Sequence, residues 1–102
     1  MVNLYDYGHP APGEEHFTEL FKDKRLIINR IVSNTLEKGG WYEQDEDEWL
    51  VLLEGEALLI VDGKEVSLKR GDTLFIPAFQ LHRIIWTSSD ALWLTVHITT
   101  PQ

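Results

Sequence analysis

The segment Glu43–Glu48 reads EQDEDE, five acids in six residues, and it runs directly into the apolar stretch WLVLL. Carboxylates at this density could ligate a hard cation, supply a catalytic acid, or form a solvated turn. A calcium loop of the EF-hand kind needs oxygen ligands at alternate positions, a glycine at the sixth and a glutamate at the twelfth. Counted from Asp45, the sixth residue is Leu50 and the twelfth Glu56, and the run enters a strand pattern at Trp49, so that chemistry is rejected. Strand parity separates the acids instead. Glu48, Leu50 and Leu52 share one face, and Trp49, Val51 and Leu53 the other. If the leucines point inward, Glu48 stands at the edge of the interior, with Asp45–Asp47 as a solvated turn. Tyr42 and Gln44 lie on one face of the preceding segment and would converge with Glu48. Of the four histidines, His9 and His16 are expected at the surface, and His97 shares a face with Trp93 and Thr95 whose direction the sequence leaves open.

The elements that must position these groups are mostly strands. Rich in β-branched residues, Arg25–Ser33 reads as one, followed by Trp49–Leu53, Glu56–Val61, Glu65–Lys69, Thr73–Ile76, Leu81–Thr87 and Ala91–Thr99. Asp62-Gly63 between two such runs is a hairpin signal. Residues 1–12, punctuated by Pro10 and Pro12, read as an irregular arm. Glu14–Phe21 places Phe17, Leu20 and Phe21 at helical spacing behind early acids, which predicts one short helix. The expectation is an all-β chain with an arm and short helix over 1–24 and a barrel over 25–102, one domain in all. Arg30 shares a face with Ile28 and Val32, so its charge calls for a carboxylate, Glu48 or Glu54.

Bulk properties exclude several functions. The chain has 102 residues, no cysteine and a net charge of -8. Thiolate metal sites and disulfides are ruled out. Nucleic acid and anionic membranes would be repelled, and the nine Lys and Arg residues form no basic stripe. No signal-like region opens the sequence and no apolar run reaches membrane-spanning length, so a cytoplasmic location is expected.

Over residues 25–99 the sequence resembles the small single-domain cupins. Their first motif has a His-x-His pair, a Glu four residues later and a Gly seven after that. Glu48 and Gly55 match the last two, while Tyr42 and Gln44 stand at the histidine positions. In the second motif, Gly71, Pro77 and His82 match, with Phe79 where the family has a glycine and Trp86 where it has an asparagine. The resemblance implies a jelly-roll barrel. It also implies one divalent metal on Gln44, Glu48 and His82, an oxygen-rich set that suits Mn or Fe and leaves Zn and Ni open. The activity it implies is metal-assisted chemistry on a small organic molecule. The alternative is a metal-free binding or sensing domain. In it, Glu48 and His82 lie within hydrogen-bond reach as acid and base, and Tyr42, Gln44 and Trp86 line the pocket. Because Trp49, Val51 and Leu53 are also apolar, both faces of their strand need cover, which predicts a homodimer.

Overall fold

The computed structural model describes residues 1–99; Thr100–Gln102, the end of the expected barrel span, lie outside the described residues. Eight strands form two antiparallel sheets: β1 (Glu15–Lys22), β2 (Leu26–Ser33), β3 (Glu46–Glu54), β4 (Glu56–Val61), β5 (Lys64–Lys69), β6 (Thr73–Ile76), β7 (His82–Thr87) and β8 (Ala91–Thr99). One sheet runs β1-β2-β8-β3-β6 and the other β5-β4-β7. Together they make the expected jelly-roll barrel. No helix among the described residues is long and apolar enough to cross a membrane.

The short helix expected over Glu14–Phe21 is instead strand β1, paired with β2 from Glu15↔Ser33 to Lys22↔Ile27. A bulge between Glu19 and Phe21 explains the misleading pattern. Phe17 pairs with Ile31 on the inner face; past the extra residue Leu20, Phe21 pairs with Ile28 on the outer face. A bulged strand thus reproduces the three- and four-residue apolar spacing of a helix. The free edge of β2, rich in β-branched residues, decides between them, because β1 satisfies its backbone groups. The expected turn Asp45–Asp47 is also shorter: Glu46 and Asp47 already belong to β3, opposite Thr99 and Ile98.

Two glycine-containing turns carry the chain between strands. Asp62 and Gly63 have φ of 54° and 72°, the double left-handed conformation of a tight hairpin between β4 and β5. Gly55, at φ 90°, carries the chain from one sheet to the other. A Cβ there would sit 2.7 Å from Ser88 Oγ and 3.0 Å from Ala91 Cα, so no side chain fits. The core fills the space between the sheets, around Leu50, Leu52, Leu59, Leu68, Ile76 and Trp93. Each such side chain, fully withdrawn from water, contributes about 1.5–3 kcal/mol.

Arg30 does not meet a carboxylate. It points to the outer face of the sheet, where the arm folds over it. Its Nη1 donates to the carbonyls of Asn3 (3.0 Å) and Asp6 (3.1 Å), and its Nη2 to Thr18 Oγ1 (3.2 Å). The Tyr7 ring lies 5.8 Å from the guanidinium. Neutral carbonyl dipoles satisfy the planar five-donor fork, which is why no counter-ion is needed. Burial is the main cause that raises the Tyr7 phenol above its ordinary value.

Candidate functional site

The strand period dictates what reaches the barrel interior. Glu48, Leu50 and Leu52 point inward, as their parity predicts, with 8, 4 and 0% exposure. Across the ladder, Glu48 faces His97 on β8 and Ile76 on β6. On β7, His82 is buried and opposite Tyr42, which is tied to it by reciprocal backbone bonds of 2.8 and 3.0 Å. The Tyr42 ring stacks on the imidazole at 6.0 Å between centroids. These side chains open onto a cavity of about 170 Å³ whose wall is mostly apolar, built from Ile31, Leu50, Leu59, Ile76, Ile84 and Trp93. That is close to the ~150 Å³ known to admit benzene. Phe17 and Tyr42 stand at its mouth, both more than half exposed.

The polar groups form a chain rather than a cluster. Gln44 Nε2 donates to Glu48 Oε1 at 2.9 Å. Glu48 Oε2 faces His97 Nε2 at 3.8 Å, and His97 Nδ1 faces Glu46 Oε1 at 3.4 Å. The last contact is too long to count as a hydrogen bond, and His97 Nδ1 has no such partner among the described residues. His82 stands apart. Its Nδ1–H donates to the carbonyl of Gln80 at 2.9 Å. A carbonyl can only accept, so in the neutral ring Nε2 carries the free lone pair.

The structure therefore brings Tyr42, Gln44, Glu48 and His82 to one cavity, but Glu48 takes its imidazole from His97, and the expected Glu48–His82 hydrogen bond is not formed. Trp86 does not line this cavity. A bulge in β7 pairs Leu59 with Ile84 but Leu58 with Trp86, which turns Trp86 to the outside, into a recess with Glu56, Ser67 and Lys69. Sequence parity missed three lining residues. Glu15 and Phe17 lay in the expected helix. Thr95 lies on β8, where Leu92, Leu94, Val96 and Ile98 are as apolar as the inward set, so no alternation marks the inner face. Phe79, at the family's glycine position, has φ 66° and donates its N–H to the Gln44 carbonyl at 2.7 Å. The left-handed backbone explains the glycine; here a phenylalanine adopts it at a cost of roughly 1–2 kcal/mol.

The donor set does not fit a divalent metal. Glu48 Oε1 is taken by the Gln44 amide, His97 Nε2 stands 3.8 Å from Glu48 Oε2 without a hydrogen bond, and the free nitrogen of His82 belongs to a ring bonded to neither. Among the described residues, no three His, Cys, Asp or Glu side chains converge in a way that could hold an ion.

Comparison with known proteins matches the chain to the cupin domain over residues 35–97. The chain belongs to the cupin family, and its barrel is that family's fold. A protein from Ralstonia eutropha, provisionally named a mannose-6-phosphate isomerase, is 34% identical over 98% of each chain, with a TM-score of 0.87. KdgF from a Halomonas species (15% identity, 96% of this chain and 89% of that one, TM-score 0.78) shares the fold. So does a cupin superfamily protein from Desulfitobacterium hafniense (20%, 89% and 83%, 0.74). Comparison with curated proteins finds no match.

Proposed function

We propose that the barrel cavity binds a small organic molecule without a metal, and that His82 and Glu48 exchange protons with it. The observation that carries this reading is an apolar cavity into which an imidazole with a free Nε2 and a hydrogen-bonded carboxylate both open. Cavities of this build, with few polar groups placed in an apolar wall, are the usual form of small-ligand sites. In this reading His82 Nε2 accepts a proton from the ligand, since its other nitrogen is held by Gln80. Glu48, oriented by Gln44 and facing His97, is the second group that gives or takes a proton.

The Ralstonia relative's name suggests proton shuffling next to a sugar carbonyl, and acid–base groups of this kind suit such a step. Its phosphate is another matter. The cavity has no Lys or Arg in its lining and two carboxylates, Glu15 and Glu48. A phosphate dianion would meet repulsion with only imidazoles to offset it. The proposed ligand is therefore not phosphorylated.

Elemental analysis of untagged protein, before and after loading with Mn, Fe, Ni and Zn, tests the metal-free part. Far less than one equivalent is expected. One equivalent per chain that disappears in both Glu48→Ala and His82→Ala overturns it.

We also propose that the outer face of the five-stranded sheet is covered by a second copy of the chain. The cross-strand row Phe21–Ile28–Val96–Trp49–Phe75 traverses all five strands without a polar side chain. Phe21, Trp49 and Phe75 are exposed in the single chain. An uncharged row suits an isologous contact, in which the patch meets itself across a twofold axis.

A further inference from the structure

The barrel cavity does not end at its mouth. It adjoins an outer recess of about 350 Å³, and the two share Glu15, Tyr42 and Ile84. The outer recess adds Glu37, so the two adjoining spaces are lined by Glu15, Glu37 and Glu48 and by no Lys or Arg. Glu15 is not a loose surface acid. Trp93 Nε1 donates to Ser33 Oγ at 3.2 Å, and the Ser33 hydroxyl donates to Glu15 Oε2 at 2.6 Å. Ser33 is fully buried, so a core tryptophan and a core serine hold this carboxylate at the boundary between the two spaces. A fixed anion beside an aromatic ring, with no basic residue lining the space, favours a cation and repels an anion.

An independent feature lies deeper. Thr95 is 2% exposed and lines the cavity, and its Oγ1 has no hydrogen-bond partner among the described residues. A hydroxyl so placed is expected to be satisfied by something the cavity receives. Thr95 pairs with Asn29 from one side of β2, and Glu15 with Ser33 from the other, so the two positions lie about 13 Å apart along the strand and about 10 Å across it. Of the resulting distance of roughly 16 Å between backbones the two side chains reach over part, and a six-membered ring carrying a polar group at each end, with one hydrogen bond at either end, spans the rest.

We infer that the ligand is a small cyclic amine whose ammonium sits at Glu15 beside Tyr42 and whose far end carries a hydroxyl for Thr95. This rests on the cavity-binding reading and names its ligand class. The three probes are 4-hydroxybenzylamine, 4-hydroxybenzyl alcohol and 4-hydroxybenzoate, which differ in charge at one end only. Calorimetric titration is expected to give the amine at least tenfold tighter binding than the alcohol and no binding of the acid. The amine's advantage shrinks as salt is raised. It vanishes in Glu15→Gln, whose amide oxygen still accepts the Ser33 bond and whose melting temperature is unchanged. Thr95→Val weakens the amine and the alcohol alike. An alcohol or an acid that binds as tightly as the amine overturns the cation assignment and leaves the cavity reading standing. Failure of all three to bind overturns both.

Discussion

The two faces of the five-stranded sheet are both apolar, and they are apolar in different ways. Inside, the row through His97, Glu48 and Ile76 sets charged and imidazole groups into a greasy wall. Outside, the row from Phe21 to Phe75 has no polar member; charge on that face lies off the row, in Asp47 opposite Ile98 and in Arg30 under the arm. An inner face with sparse polar groups selects a ligand by chemistry. An outer row with none selects by shape and area. The faces are one residue apart on β3, so adjacent substitutions can separate them. Leu52→Ala, inward and fully buried, is expected to cost about 2–5 kcal/mol. Its outward neighbour Val51, half-buried, is expected to cost about 1 kcal/mol as alanine. Urea unfolding of both variants checks this, and equal losses would erase the distinction between the faces.

The next largest effect belongs to Arg30 on the outer side. Arg30 makes charge-assisted bonds to two arm carbonyls and to Thr18. Arg30→Met is expected to cost about 1.5–3 kcal/mol and to release residues 1–12, read as faster amide exchange at Asn3 to Tyr7. Arg30→Lys recovers only part of this, because an ammonium cannot present the same planar fork. Exchange rates in Arg30→Met as slow as in the wild type would mean that the arm is held by other contacts.

A smaller effect on the single chain, but a decisive one for assembly, is expected from Trp49→Lys with Phe75→Lys. The two residues are cross-strand partners in the outer row. Two cations in the middle of a self-complementary patch meet two more from the other copy, so sedimentation is expected to move from dimer to monomer. The inner face is untouched, and probe binding in the cavity is expected to stay within twofold of the wild type. A wild-type mass that is monomeric at all concentrations removes the dimer.

Much of this division was legible in the residues. Parity put Glu48 on one face with Leu50 and Leu52, its spacing to Gly55 made that the inner face, and Asp62-Gly63 announced a hairpin turn. What misled was the bulge, used twice. In β1 it spaced Phe17 and Phe21 like a helix and put them on opposite faces; in β7 it turned Trp86 away from the cavity that His82 and Ile84 line. One inserted residue reverses every later side chain, and nothing in the local composition marks it. Arg30 failed for a different reason. Its partners are backbone carbonyls of a distant arm, and backbone groups carry no letter in the sequence.

The smallest expected effect bears on how the faces are kept apart at all. Strand β1 supplies Phe17 to the inside and Phe21 to the outside, so its register against β2 must not slip. The turn between them is pinned by Asp23, whose Oδ1 accepts the N–H groups of Arg25 (2.7 Å) and Leu26 (3.0 Å). The Arg25 backbone bond first, then the Arg25 side chain, holds the Asp23 carboxyl below its ordinary value of 3.8. A carboxyl lowered on folding stabilises the fold at pH above its unfolded value and loses that contribution as pH falls through its folded value. Asp23→Asn keeps an acceptor for both N–H groups and removes only the charge. Its melting temperature is therefore expected to lie slightly below the wild type at neutral pH, by an amount that stays constant down to about pH 4 and closes below it. The side chain is open to solvent on part of its surface, so the gap is small and shrinks with salt. A gap that persists unchanged at about pH 2 would assign the pinning to geometry rather than charge.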